Sequence, residues 1–243
     1  MRHIAANAPK TMQAPQTPPP ASIKAYSKVG LRAYDALVMG VFARHVWGCA
    51  AERLVEHYRA NLTANHADIG VGTGYCLDRC GVPFQHPRLA LIDLQPDCLT
   101  HASRRLARFH PRCYVRDVLR PLHGIEGPAF DSIALGGVLH CLAGDGVAKG
   151  SVFDNLSPLV AGGARIFGYT LVSDGVNVRA RTRLVHAFLN RTRVIDNASD
   201  RLADLEAALA ARFVDCRVDL VGCMALFSAS VPVSIPTQQR RPS

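Results

Sequence analysis

No apolar run in this chain approaches the ~20 residues that a membrane-spanning helix needs, so no span is expected. Residues Met1 to Ser22 carry no apolar stretch of the secretory kind. With Pro15, Pro18, Pro19 and Pro20 they read as a disordered lead-in. Of the 8 cysteines none forms a C-x-x-C pair, and their spacing matches no zinc pattern. Free thiols in a reducing cytoplasm are the expectation, with no metal; Cys76 and Cys80, one helical turn apart, come nearest to a ligand pair. Acid is the scarcer charge: 19 Asp and Glu against 28 Lys and Arg leave a net charge of +9. That sign invites a nucleic-acid reading. The basic residues are nevertheless dispersed arginines such as Arg104, Arg105 and Arg108, which fit a solvated helix face. The densest stretch, Arg179, Arg181, Arg183, Arg191 and Arg193, fits exposed helix surface better than it fits an anionic substrate.

What is present has the makings of a folded domain. With 243 residues, 49% apolar and 19% charged, the chain can form a single domain that buries roughly 70–75% of its unfolded surface. The chain is organised around His66-Ala67-Asp68-Ile69-Gly70-Val71-Gly72-Thr73-Gly74-Tyr75. Three glycines on alternate positions follow an acid at the end of a short strand-like run. Glycine has no Cβ, so such a loop lets a ligand lie directly on the backbone. Between a strand and a helix it opens into the crevice at the carboxyl end of a parallel sheet.

The flanking pattern supplies that context. Residues 23–46 read as one or two helices, with Gly30 and Gly40 as candidate breaks, and residues 50–62 as another, with Leu54, Tyr58 and Leu62 along one face. After the glycine loop, strands are expected at 88–93, 113–117, 130–135 and 164–169, separated by helices at 75–80, 96–106 and 147–159. Gly162-Gly163 reads as a turn. Further helices are expected at 178–189 and 201–212. Strands at 216–221 and 224–231 are parted only by Gly222-Cys223, the spacing of a hairpin. Acids end successive strands at Asp68, Asp93 and Asp117. A lone Asp93 or Asp117 would pass for a helix cap or turn residue; their joint placement after consecutive strands argues for a nucleotide site. A nicotinamide-binding fingerprint would require a small residue where Tyr75 stands, and a tyrosine there blocks close helix–strand packing.

Asp68-x-Gly70-x-Gly72-x-Gly74 followed by Asp93 resembles the first two motifs of class I S-adenosylmethionine-dependent methyltransferases. Asp117 matches that family's third acidic position, Phe130-Asp131-Ser132-Ile133 with Gly137-Val138-Leu139-His140 looks like its fourth motif, and the closing hairpin resembles its last strand pair. The resemblance implies an α/β fold: a doubly wound, seven-stranded, mostly parallel sheet with a C-terminal antiparallel hairpin, in a three-layer α/β/α sandwich. It implies one methyltransferase domain over residues 23–232, with an N-terminal helical lid at 23–65 and a tail at 233–243. It also implies a cofactor site. Backbone N–H groups around Gly70 and Gly72 would meet the methionine carboxylate of S-adenosylmethionine, and Asp68 its amino group. Asp93, with Leu94 beside it, would take the ribose hydroxyls; Asp117 and Val118 would bracket the adenine; Gly74 and Gly136 would complete the floor. The acceptor would meet Tyr26, Tyr34, Trp47, His140 and Tyr169, each aromatic also reading as core. His140, just past the fourth strand, is the candidate general base, with a histidine bonded to a backbone carbonyl as the alternative. The fourth motif lacks the proline pair of nucleic-acid amino-methyltransferases, so a small specialised metabolite (aromatic, quinone or polyketide-like) is the expected acceptor. The charge keeps an RNA-directed methyltransferase or a non-catalytic nucleic-acid-binding relative as the alternative.

Overall fold

The computed structural model describes residues 35–173 and 180–233. The expected tail at 1–22, the candidate residues Tyr26 and Tyr34, and residues 234–243 lie outside these. Seven strands form one sheet: β1 (Asn65–Ile69), β2 (Arg88–Asp93), β3 (Arg112–Val115), β4 (Phe130–Gly136), β5 (Val160–Leu171), β6 (Val214–Val221) and β7 (Met224–Ser230). Their spatial order is β3-β2-β1-β4-β5-β7-β6. The first five run parallel, and β7 lies antiparallel between β5 and β6. The order reverses between β1 and β4, where loops leave the sheet in opposite directions and open a crevice at the strand ends.

Residue alternation along β1 divides the core. Ala67 and Ile69 face one layer, with Val152 and Phe153 of α5 (Val152–Asn155) and Leu205 and Leu209 of α7 (Leu202–Ala210), against which α4 (Gly146–Gly150) lies. The other face packs Leu91, Ala134 and Phe167 against α1 (Ala51–Asn61), α2 (Tyr75–Arg79), α3 (Pro96–Arg105) and the helical segment Asp35–Phe42 with Ala43–His45. Two-residue periodicity thus yields three layers. Phe167 is fully buried, with the rings of His57, Tyr58 and His66 around it; burying one such side chain is worth about 1.5–3 kcal/mol. α6 (Ala180–Arg191) opens the second described stretch and packs against the same core cluster through Leu189.

Three expectations shift. Gly40 does not break its helix, which continues through it as a π-helix from Asp35 to Phe42. The helix expected at 147–159 divides into α4, α5 and a 3₁₀ turn at Ser157–Leu159. Gly162-Gly163 is no turn. Both glycines lie within β5 at an irregularity, where pairing steps from Phe130↔Val160 to Ser132↔Arg165 and Gly163 N–H bonds to Val231 O. A glycine pair reads alike as turn or bulge until the neighbouring strand is known.

Candidate active site

Asp68, Gly70, Gly72, Gly74, Asp93, Leu94, Asp117, Val118, Gly136, Trp47, His140 and Tyr169 all line a single cavity at the carboxyl ends of β1, β2 and β4. Parallel strands bring this about by ending together: residues more than a hundred positions apart in the chain share one rim.

The glycine loop forms the floor. Gly70 has φ +66°, and a Cβ there would stand 2.8 Å from Val138 Cγ2, so the loop's approach to the β4 turn requires glycine. The loop's amides are already engaged. Gly70 N–H donates to Ile92 O (2.8 Å), Gly74 N–H to Val71 O (2.9 Å) and Gly72 N–H to Asp93 Oδ2 (3.1 Å). A strand-end carbonyl and the Asp93 carboxylate thus hold the amides of Gly70 and Gly72 in this arrangement.

The three acids differ in setting. Asp68 is buried and accepts from the Tyr58 hydroxyl at 3.4 Å; burial, with Asp93 nearby, pushes its carboxyl up to about 8. A buried carboxyl without a cation is the arrangement that an ammonium ligand would ionise. Asp93 accepts Gln95 N–H on one oxygen (2.9 Å) and Gly72 N–H on the other, with Leu94 N–H also close, and burial raises its pKa against those bonds. The carboxylate keeps lone-pair capacity for a hydroxyl. Asp117 lies two residues beyond β3 and accepts Leu119 N–H on Oδ1 (2.9 Å), with Val118 buried beside it. The strand had been expected to reach Asp117. It stops at Val115, whose partner Asp93 is the last residue of β2, and the turn follows at Val118 and Leu119.

The opposite wall is apolar and aromatic. Trp47 is buried, edge-on to Phe42, and its carbonyl accepts Cys223 N–H (3.0 Å) from the turn between β6 and β7. Its indole Nε1 has no partner among the described residues. His140 sits in the 3₁₀ turn Leu139–Cys141; its carbonyl accepts Asp196 N–H (2.8 Å), and its Nδ1 faces the N–H of Leu171 (3.3 Å) and the hydroxyl of Thr170 (3.4 Å). Burial, with the charges of Lys149 and His186 nearby, holds the imidazole down at about 3, so the ring is neutral. Tyr169 contacts Cys76 Sγ through its hydroxyl at 3.7 Å.

Two features have no counterpart among the sequence expectations. Tyr58, read as one residue of a core stripe, brings its hydroxyl to Asp68 and so close to Gly136 that a Cβ there would stand 2.2 Å from it. Asp35, the first residue described, accepts from Thr73 Oγ1 (2.7 Å) and pairs with Arg105, which also donates to Thr73 O (3.0 Å). This latch ties the N-terminal helix to the glycine loop. Neither had a sequence signal, since a helical tyrosine and a lone Asp–Arg pair are ordinary surface and core patterns.

The residues fit S-adenosylmethionine. A side-chain-free floor, a buried carboxyl with no ion pair to a cation among the described residues and an acid with lone-pair capacity at the next strand tip match a ligand with an ammonium group and a ribose. Residues 67–166 match the family model described as a methyltransferase domain. The chain is 35% identical over 204 residues to demethylluteothin O-methyltransferase of Streptomyces thioluteus, covering 84% of this chain and 88% of that protein. It is 32% identical over 217 residues to the physcion biosynthesis cluster O-methyltransferase of Aspergillus chevalieri, covering 89% and 97%. Its fold superposes on that of the N-methyltransferase NodS from Bradyrhizobium japonicum WM9 in complex with S-adenosyl-L-homocysteine, with TM-score 0.54, 19% identity, and coverage of 74% and 86%. The site and the sheet define a Rossmann-like transferase. The chain belongs to the class I S-adenosylmethionine-dependent methyltransferases that act on small molecules, and S-adenosylmethionine is its cofactor.

Proposed function

We propose that this enzyme methylates an oxygen of a small, conjugated specialised metabolite in the cytoplasm. The observation that carries the proposal is that one cavity joins the acidic nucleoside side to an apolar wall holding Trp47, His140 and Tyr169. The names of the two curated relatives support oxygen as the atom. Eight free cysteines suit a reducing compartment, and no helix among the described residues is long and apolar enough to cross a membrane.

Within this reading Asp68 holds the amino group of the cofactor, and Asp93, with Leu94 alongside, takes the ribose hydroxyls. Asp117 Oδ2 accepts from the adenine amine while Val118 covers the ring. Bound there, the cofactor supplies an electrophilic methyl on a sulfonium. The protein's part is alignment and exclusion of water, which can supply roughly 7–11 kcal/mol of the barrier without covalent help. The helix Asp35–Phe42, latched to the loop, serves as the lid, and residues 23–232 act as one domain.

Nucleic acid is the competing acceptor that the charge raises. Against it, Arg44, Arg53, Arg105, Arg108, Arg112 and Arg212 are each paired with a carboxylate, which lowers the charge they present. The test is calorimetry with S-adenosyl-L-homocysteine followed by transfer of labelled methyl to a panel of hydroxyaromatics and to bulk RNA. Binding with transfer to a hydroxyl is expected. Transfer to RNA alone, or salt-sensitive retention on a nucleic-acid column without small-molecule turnover, would overturn the proposal.

A further inference from the structure

We propose that His140 meets the acceptor as a hydrogen-bond donor through Nε2–H, in the cavity that Trp47 also lines, and that the acceptor oxygen reacts as an anion formed before it binds, with no side chain serving as base. The inference rests on the methyltransferase reading above and goes further, to the protonation state in which the acceptor enters.

The tautomer follows from the backbone. Leu171 N–H, 3.3 Å from His140 Nδ1, can only donate, so Nδ1 must present its lone pair. A neutral imidazole with Nδ1 accepting carries its proton on Nε2. That nitrogen has no partner among the described residues, and the ring lines the cavity. Charging the ring is opposed by what surrounds it. Lys149 is buried, with Nζ 2.8 Å from both oxygens of Asp200 and donating also to Asp196 O, while Asp196 N–H holds the His140 carbonyl. Lys149 and His186 both oppose protonation of this ring, after burial itself. Tyr58, Tyr75, Cys76, Cys98, Cys141 and Tyr169 are the other side chains with titratable hydroxyl or thiol protons that line the cavity.

Trp47 gives the second, independent observation. Its ring is more than nine-tenths buried and its Nε1–H has no partner among the described residues, although the side chain lines the same cavity. A buried donor without a partner costs free energy that a ligand oxygen would recover. The carboxylates lining the cavity are Asp68, Asp93 and Asp117, and Asp68 is held by the Tyr58 hydroxyl. Neutral N–H donors at this wall suit a negative oxygen. The acceptor class is thus a hydroxyl acidified by a conjugated carbonyl or ring, able to ionise near neutral pH. Its proton passes to solvent before binding. The oxygen lone pair then forms the new O–C bond as the methyl–sulfur bond breaks, and sulfur keeps that electron pair; anion and sulfonium become a neutral ether and a neutral thioether.

The primary test is ¹⁵N NMR of enzyme labelled at histidine ring nitrogens and bound to S-adenosyl-L-homocysteine, with the His140 signals assigned by their loss in His140→Gln. Unprotonated Nδ1 and protonated Nε2 between pH 6 and 8 (about the range in which free histidine titrates) are expected. A protonated Nδ1, or a ring that titrates in this range, would overturn the assignment. The second readout is the pH profile of kcat/KM with phenols of graded acidity. Its rising limb should move with each phenol's own pKa and persist in His140→Gln, whose amide still donates. Removing a donor with His140→Phe or Trp47→Phe should lower kcat/KM about ten- to hundredfold. A limb fixed at one pH for all phenols and lost in His140→Gln would make His140 the base. Failure of the wild-type protein to bind S-adenosyl-L-homocysteine would instead sink the methyltransferase reading on which all of this stands.

Discussion

Replacing Gly70 with alanine separates two costs that the glycine loop avoids. At φ +66° an L-residue pays about 1–2 kcal/mol for the left-handed conformation. The new methyl would also stand 2.8 Å from Val138 Cγ2 and 2.9 Å from Val138 Cβ, an overpacking worth about 1–3 kcal/mol. Gly70→Ala should therefore cost about 2–5 kcal/mol, a large share of the 5–15 kcal/mol typical of a folded domain. Gly81 provides the control. It has nearly the same angle, φ +65°, and nothing within 4 Å of where a Cβ would stand, so Gly81→Ala should show the conformational cost alone. Adding Val138→Ala to Gly70→Ala removes the 2.8 Å contact but not the 2.9 Å one, and should recover only part of the difference. Urea unfolding, read by circular dichroism and by the single tryptophan, gives all of these values. Val138 precedes the turn that carries His140, so relief by moving it should also weaken S-adenosyl-L-homocysteine binding or turnover. Equal destabilisation in Gly70→Ala and Gly81→Ala would refute the close approach of loop and turn.

Asp93→Ala should weaken S-adenosyl-L-homocysteine binding by about 1–3 kcal/mol, through lost ribose bonds and through release of the Gly72 and Gln95 amides; an unchanged calorimetric affinity would remove Asp93 from the site. Asp35→Ala breaks the latch to Thr73 and Arg105, and is expected to lower that affinity about tenfold and to speed proteolysis of the N-terminal helix. If neither moves, the helix is not a lid. His66 is fully buried and held neutral, its pKa lowered to about 3 by burial. Since the unfolded ring binds a proton more readily, its contribution is complete above about pH 6.5 and falls away as the pH drops toward 3. Between pH 7 and 5 the wild type should lose about 2 kcal/mol that His66→Gln keeps. Parallel stability curves for the two proteins would contradict this.

Much of the architecture was legible because it depends on short-range pattern. The runs ending at Asp68 and Asp93, the proline-started helix and the Gly222-Cys223 hairpin are local signals, and each appears within a residue or two of its expected place. Local pattern misleads where pairing decides. Gly162-Gly163 carries the same dipeptide whether it turns the chain or bends a strand, and only its neighbours β4 and β7 select the bend. The engaged amides of the glycine loop were equally out of reach, because their acceptors, Ile92 O and the Asp93 carboxylate, belong to the adjacent strand.

The order of residues by itself determined the alternation of strand and helix, the acids near successive strand ends and the glycine loop between them, each a matter of periodicity or of spacing along the chain. The cofactor followed from the family those motifs resemble. Tertiary structure alone decided the rest: that Tyr58 from a helix face reaches Asp68, that Trp47 arrives with its indole N–H unpaired among the described residues, and that Leu171 N–H selects the tautomer of His140. Hydrogen bonds act over about 3 Å, and residues 31 or 176 positions apart come that close only when the sheet has closed.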